Sequence, residues 1–240
     1  MKTRIIKEII LFVCVLYTTS SCDYLDVVPD NVATIDYAFK NSIAAEKYLY
    51  GCYSYRPAIG DIQNDPAMTG SDETTQRYVQ MELGTRFVTW GGTKITRGLQ
   101  NANEPIMNTW DGNRSLWVGI RDCNIFLENI GKVRDLMEHN RRRWIAEVKF
   151  LKAYYHYTLM KRYGPVPIVD VNLPISADVT AVQVYREPID DVVNYVIGLI
   201  EEAIPDLPET KEIVEGTEAG RVDKLIAMTL KAEVLLFAAS

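Results

Sequence analysis

Through most of this chain the apolar residues recur at helical spacing, and nowhere do they alternate over a convincing strand. Thr34 can cap a first helix over 35–55, in which Tyr37, Ala44, Tyr48 and Cys52 return near the helical period. A second is expected over 108–130, with Trp110, Trp117, Ile120, Asn124 and Leu127 on one side and Gly131 as the closing C′ residue. The strongest pattern lies over 140–163. Trp144, Val148, Leu151, Tyr155 and Leu159 make one apolar face, and Phe150, Tyr154 and Tyr157 widen it. Only Lys149, Lys152 and His156 leave a narrow polar stripe, so this helix must pack on two sides. Gly164-Pro165-Val166-Pro167 stops it. Pro188 opens a fourth helix with Ile189, Val192, Val193, Val196, Leu199, Ile200 and Ala203 in register, ended by Pro205 and Pro208. Asp223 caps a fifth. Its first face carries Leu225, Met228, Ala232, Leu235 and Leu236, and its second Ile226, Leu230, Val234 and Phe237.

Successive two-faced helices imply an all-α fold of tetratricopeptide-like helix pairs, of α-solenoid type, although no clean 34-residue repeat is present. The fifth helix runs to Ser240 without a cap, a glycine or a polar tail, the pattern of a chain cut short. One long stretch, 56–100, breaks the helical order with Pro57, Gly60, Pro66, Gly70, Gly84, Gly91, Gly92 and Gly98. An irregular excursion of that length in a compact domain is usually functional.

The first residues follow a different logic. Lys2, Arg4 and Lys7 precede an uninterrupted apolar run from Ile9 to Tyr17, followed by Thr18-Thr19-Ser20-Ser21. Charge, then apolar residues, then small residues is an export signal, and the run is too short to span a bilayer. Cys22 directly follows the expected cleavage site and resembles the lipobox of bacterial lipoproteins, in which the cysteine is acylated. Thr19 stands where the strict motif has leucine, so cleavage leaving Cys22 unmodified stays open. The expected organisation is a signal peptide over 1–21 and a helical region over 22–240 that contains the irregular ligand-loop region 56–100.

Composition adds exclusions. With 48% hydrophobic and 24% charged residues the chain has enough apolar mass for a core. Its net charge is −6, and without the leader, where Lys2, Arg4 and Lys7 outnumber Glu8 by two, it becomes −8. That surface disfavours nucleic acid as a partner. Arg141-Arg142-Arg143 lacks interleaved aromatics and reads as a solvated face. Cys52 and Cys123 fall inside apolar helical patterns; an envelope location permits a disulfide, no spacing demands one, and two buried free thiols are the expected case. No Cys/His cluster of metal type occurs, and no metal or cofactor is expected. Neither His139 nor His156 accompanies a nucleophile motif, so no enzyme is expected.

Several strings together resemble the SusD/RagB family. They are Cys22-Asp-Tyr-Leu-Asp26, then Trp110 with Trp117-Val-Gly-Ile-Arg-Asp-Cys-Asn124, then the aromatic helix from Glu147 that ends in Tyr163-Gly-Pro-Val-Pro167. Arg186-Glu-Pro188, the 199–208 segment and Gly220-Arg-Val-Asp-Lys224 with the helix to Phe237 continue it in order. The resemblance implies a surface-exposed lipoprotein of the outer membrane that captures oligosaccharide and delivers it to a TonB-dependent transporter. Family members are considerably longer. Asp23, after the cysteine, favours inner-membrane retention in enteric bacteria, but the family's usual hosts sort lipoproteins by other rules.

Sugar binding needs flat apolar surfaces for pyranose faces and planar polar groups for hydroxyls. Within or beside the excursion, Trp90 and Tyr78 are the candidate platforms, and Arg86, Asn101 and Asp72 the candidate hydroxyl partners. Trp90 as a plug onto the helices is an equal alternative, and Trp110, Trp117 and Trp144 sit at core spacing. A helical-repeat scaffold for a protein partner, or the same uptake role with peptide or another nutrient as cargo, are the competing functions. Lipidation is directly testable: radiolabelled palmitate is expected to enter the wild-type protein and not Cys22→Ala, and equal labelling of both would refute the anchor.

Overall fold

The computed structural model describes residues 35–57, 70–71, 95–96, 98–103, 105, 108–112, 115–174, 176–180 and 182–240. The leader, Cys22 and most of the 56–100 excursion lie outside the described residues. Residues Met1–Tyr37 and Ala38–Ser240 form separate compact units, and the first contributes only the start of a short helix, α1 (Ile35–Ala38), to the described part. Everything below concerns the second unit.

The described residues form helices joined by turns. After α1 come α2 (Ser42–Tyr53), α3 (Leu116–Asn129), α4 (Glu138–Tyr163), α5 (Ile189–Ala203) and α6 (Lys224–Ala239). From α2 onward each helix packs on the next, and α4 touches all four others. Residue pairs fix the directions. Trp117 meets His156 while the Ile130 carbonyl meets Arg141, so α3 and α4 are antiparallel. Lys149 pairs with Glu202 while His156 meets Tyr195, so α4 and α5 are too. The all-α architecture of paired helices is therefore the one the periodicity implies.

Local chemistry sets the boundaries. The expected single helix over 35–55 is interrupted, because Asn41 takes an extended conformation (φ −151°, ψ 169°) and its side chain accepts from the Ala44 N–H at 2.9 Å. Asp135, far along the chain, reinforces that start by accepting from the Ser42 N–H (2.9 Å) and Oγ (2.8 Å). The buried stripe of α2 is Ala45, Leu49 and Cys52. Helix α3 begins at Leu116 rather than 108, because the Ser115 Oγ accepts from the Val118 N–H. Gly131 does not close it in the left-handed conformation. It sits in a single 3₁₀ turn (Ile130–Lys132), whose carbonyl ends Arg141 satisfies by donating to Ile130 and Val133. Gly164 does end α4 as expected, at φ 74°, with its N–H on the Met160 carbonyl at 2.9 Å.

The core is continuous from α2 to α6 and fullest around α4, where even polar residues are buried. Gly119 lets α3 come close: a Cβ there would lie 3.0 Å from Tyr55 and 3.1 Å from Tyr155. In α6, Ala227, Leu230 and Val234 are buried, whereas Leu225, Met228 and Leu236 are exposed. Only one of the two expected faces of this helix is covered.

The arginine run is a correction to the solvated-face reading. Arg142 is exposed, but Arg141 caps the 3₁₀ turn and Arg143 joins a buried network centred on Glu147. Glu147 is 0% exposed. Its Oε1 accepts from Arg143 Nε (3.0 Å) and Arg221 Nη2 (2.8 Å), and its Oε2 from Arg221 Nε (3.1 Å) and the Tyr53 hydroxyl (2.7 Å). The same Tyr53 oxygen accepts from the Val222 N–H. Burial, reinforced by the Glu147 carboxylate, pushes the Tyr53 phenol up, so it stays a donor. Burial works against the charge of Arg221, yet its hydrogen bonds to Glu147 leave it held above the ordinary range. Removing one member strands the others. Glu147→Leu is expected to lower the unfolding free energy by about 3–5 kcal/mol in urea titration, and adding Arg143→Leu and Arg221→Met to recover part of it. An unchanged midpoint in the single variant would refute this.

Candidate functional site

Of the sequence-derived candidates, Asp72, Tyr78, Arg86 and Trp90 lie outside the described residues. Asn101 is described, on an exposed segment opened by Gly98 at φ 67°. Its Oδ1 accepts from the Asn103 N–H at 3.0 Å and its Nδ2 donates to the Leu99 carbonyl at 3.2 Å. Both ends of the amide thus shape a local turn.

The structure shows how the two ends of the excursion are fastened. The chain leaves α2 at Tyr55, whose hydroxyl donates to Asp122 Oδ2 at 2.7 Å, beside Gly119. It returns at Asn108–Asp111, an Asx turn in which Asn108 Oδ1 accepts from the Trp110 and Asp111 N–H groups. The Thr109 carbonyl then accepts from the Leu116 N–H at 2.9 Å. Both stems therefore land on the first two turns of α3.

Aromatic packing locks the returning stem. Trp110 stands edge to face against Trp117 (5.2 Å) and Tyr163 (5.1 Å), and the Arg186 guanidinium lies over its ring at 5.1 Å. The Tyr163 hydroxyl accepts from the Thr109 N–H at 3.0 Å. Arg186 also donates to the carbonyls of Tyr163 (3.1 Å) and Pro165 (3.2 Å), reaching the end of α4. Sequence reasoning singled out Trp110, the Tyr163-Gly-Pro turn and Arg186 as separate strings, and they form one cluster. Nothing in their spacing announces it, because the partners are up to seventy-odd residues apart in the chain. Trp144 is buried and Trp110 and Trp117 are half-buried against the core, as their helical spacing implies.

Two members of the α4 polar stripe turn inward, while Lys149 stays part-exposed and pairs with Glu202 at 2.7 Å. Lys152 is 2% exposed and donates to the Asp170 carbonyl (2.6 Å) and Oδ1 (3.0 Å), while the Tyr195 hydroxyl donates to the same Oδ1 at 2.8 Å. Those two hydrogen bonds hold the Asp170 carboxyl below its usual range. His156 is fully buried, with Nδ1 2.8 Å from the Lys152 carbonyl and Nε2 accepting from the Val169 N–H at 3.3 Å. The pair of contacts selects the neutral ring protonated at Nδ1, since a second proton would confront the Val169 N–H. Burial accordingly drives the imidazole down to about 4. With both nitrogens on backbone groups, this histidine serves packing rather than proton transfer. Among the described residues no group of three or more His, Cys, Asp or Glu could hold a metal ion, and no helix is long and apolar enough to cross a membrane.

A long central helix packed on two sides, with both ends of the 56–100 segment fastened to α3, defines the class: an all-α protein of tetratricopeptide-like helix pairs. Residues 23–225 match the model of the SusD-like family described as starch-binding and associating with the outer membrane. The chain belongs to this SusD/RagB family. Among solved structures it is similar to a SusD-like protein from Bacteroides fragilis NCTC 9343, at 22% identity and a TM-score of 0.64, covering 84% of this chain and 36% of that one. A laminarin-binding SusD-like protein matches at 23% identity and TM-score 0.64, over 82% of this chain and 40% of the other. Surface glycan-binding protein A from Bacteroides uniformis matches at 21% and 0.54, over 81% and 42%. The chain thus spans 36–42% of the length of these structures, and the likeness at such identity is one of fold. No curated protein matches the sequence.

The buried histidine generates a pH test. An unfolded His156 binds its proton below about 6.5 and the folded one only near 4, so the unfolded state holds more protons between these values. Stability from this group is fully present above 6.5 and is lost as pH falls toward 4, by on the order of 3 kcal/mol. Urea titrations at pH 7 and 4.5 are expected to show a smaller pH difference for His156→Phe than for wild type. Equal differences would refute it.

Proposed function

We propose that this chain belongs to a surface lipoprotein, tethered to the outer membrane through Cys22, that captures oligosaccharide and hands it to a TonB-dependent transporter. The observation that carries this reading is the family match over 23–225, whose description names starch binding and association with the outer membrane. The fastened excursion adds support, since a site borne on loops needs stems that do not move. Here they are held by Tyr55, Trp110 and Tyr163 at one end of a rigid helix bundle.

In this proposal the region 56–100 carries the ligand. Trp90 and Tyr78 offer ring faces to the C–H surfaces of a pyranose, and Arg86, Asn101 and Asp72 bond its hydroxyls. The protein performs no covalent chemistry; its work is capture and transfer, and the domain organisation is a leader over 1–21 followed by the helical region over 22–240. A protein-interaction scaffold is the second reading, and it draws on the exposed apolar side chains between α4 and α5, among them Val179 and Tyr185.

Isothermal titration of the purified protein against a panel of glycans, beside Trp90→Ala, tests the assignment. Saturable binding to at least one glycan is expected, weakened about tenfold in the variant through loss of a stacking contact of ~1.4 kcal/mol. Binding that the variant leaves intact would remove Trp90 from the site. Absence of binding to any glycan would favour the scaffold or a peptide cargo.

A further inference from the structure

Cys52 and Cys123 are far apart in the chain and adjacent in space. Their register comes from the neighbouring pairs: Tyr55 packs on Gly119, Tyr48 donates to Asp122 at 3.4 Å, and the Tyr48 ring lies 6.5 Å from Phe126. Antiparallel α2 and α3 therefore bring position 52 opposite 123, one helical turn along from Gly119, which allows the close approach. Both cysteines are free thiols in this structure, each fully buried. Tyr155 pins the site from α4 by donating its hydroxyl to the Cys52 carbonyl.

We infer that Cys52 and Cys123 are joined as a disulfide in the exported protein, stapling α2 to α3 beneath the stems of the excursion. The inference rests on the export reading, because an oxidising compartment is what permits the bond. The oxidant is a disulfide, carried by an envelope oxidoreductase or a small thiol compound. One cysteine thiolate attacks it, releasing one of its sulfurs as a thiol and leaving a mixed disulfide. The second cysteine thiolate displaces the other sulfur, so two protein thiols are oxidised while one external disulfide is reduced to two thiols. The step belongs to folding rather than to the finished fold. Burial, together with the Cys52 contact, pushes the Cys123 thiol well above its ordinary range, and no thiolate forms readily once α2 has docked. The bond closes a long loop that contains the whole excursion, the arrangement in which a cross-link restricts the unfolded chain most.

The protein is produced with its own leader and, separately, without it. Each sample is treated with iodoacetamide in denaturant, with and without prior reduction, and digested for mass spectrometry. In the membrane fraction the Cys52 and Cys123 peptides are expected as a linked pair that alkylates only after reduction. Leaderless protein from the cytoplasm should alkylate at both positions directly. Reduction of the exported protein is expected to lower its Tm by roughly 5–15 °C. Membrane-fraction protein whose two cysteines alkylate without reduction would overturn the inference. Should the leadered protein remain in the cytoplasm, the export reading fails instead. The staple is then decided by refolding leaderless protein from urea in oxidised glutathione: a linked pair supports it and two alkylatable thiols refute it.

Discussion

A single buried carboxylate holds this scaffold together. Glu147 sits in the longest helix of the described residues, where no water reaches it, and its charge is tolerable only because Arg143, Arg221 and the Tyr53 hydroxyl converge on it. Each partner comes from a different place: Arg143 from one turn earlier in α4, Tyr53 from the end of α2, Arg221 from the turn before α6. An ion in a low-dielectric interior is strongly unfavourable when unpaired, and that penalty makes the contacts mutually dependent. The network therefore specifies how α2 and α6 sit on α4 as much as it stabilises them. Glu218 extends it outward. Burial opposes its charge, but the Val214 N–H and Arg143 hold its carboxyl below the usual range.

The helices were legible because their period is strong and their stops are chemical. Gly164 followed by prolines can end α4 in one way, and the Asp223 side chain caps α6 where it was expected to. What the sequence concealed is everything decided at a distance. The break between α1 and α2 depends on Asp135, more than ninety residues away, as well as on Asn41. Arg141 and Arg143 look like solvated charges until the carbonyls of the 3₁₀ turn and Glu147 are brought to them. The stripe of Lys152 and His156 reads as a polar surface because Asp170 and Tyr195, which neutralise and cover it, arrive from later segments.

The site was legible in a different way. Periodicity sets the 56–100 segment apart and the resemblance implies a ligand role for it, while most of it lies outside the described residues. The spacing of Trp110, Tyr163 and Arg186 revealed nothing of the cluster they form, since an aromatic edge contact and a guanidinium stack leave no local signature. Asn101 illustrates the opposite case. Its residue type suggested a partner for hydroxyls, and its amide closes a turn at the foot of the loop region.

The two stems rise from the same two helical turns, with Tyr55 beside Gly119 and Trp110 against Trp117. To the bundle, the excursion is a loop whose ends are already joined. Doubling such a loop adds only about 0.6 kcal/mol of closure entropy, so its length and content can drift with little penalty to the helices below. Change in that segment is thereby uncoupled from the packing of the fold: it can vary while the carboxylate at the centre of the scaffold and the aromatic clamp at its end remain as they are.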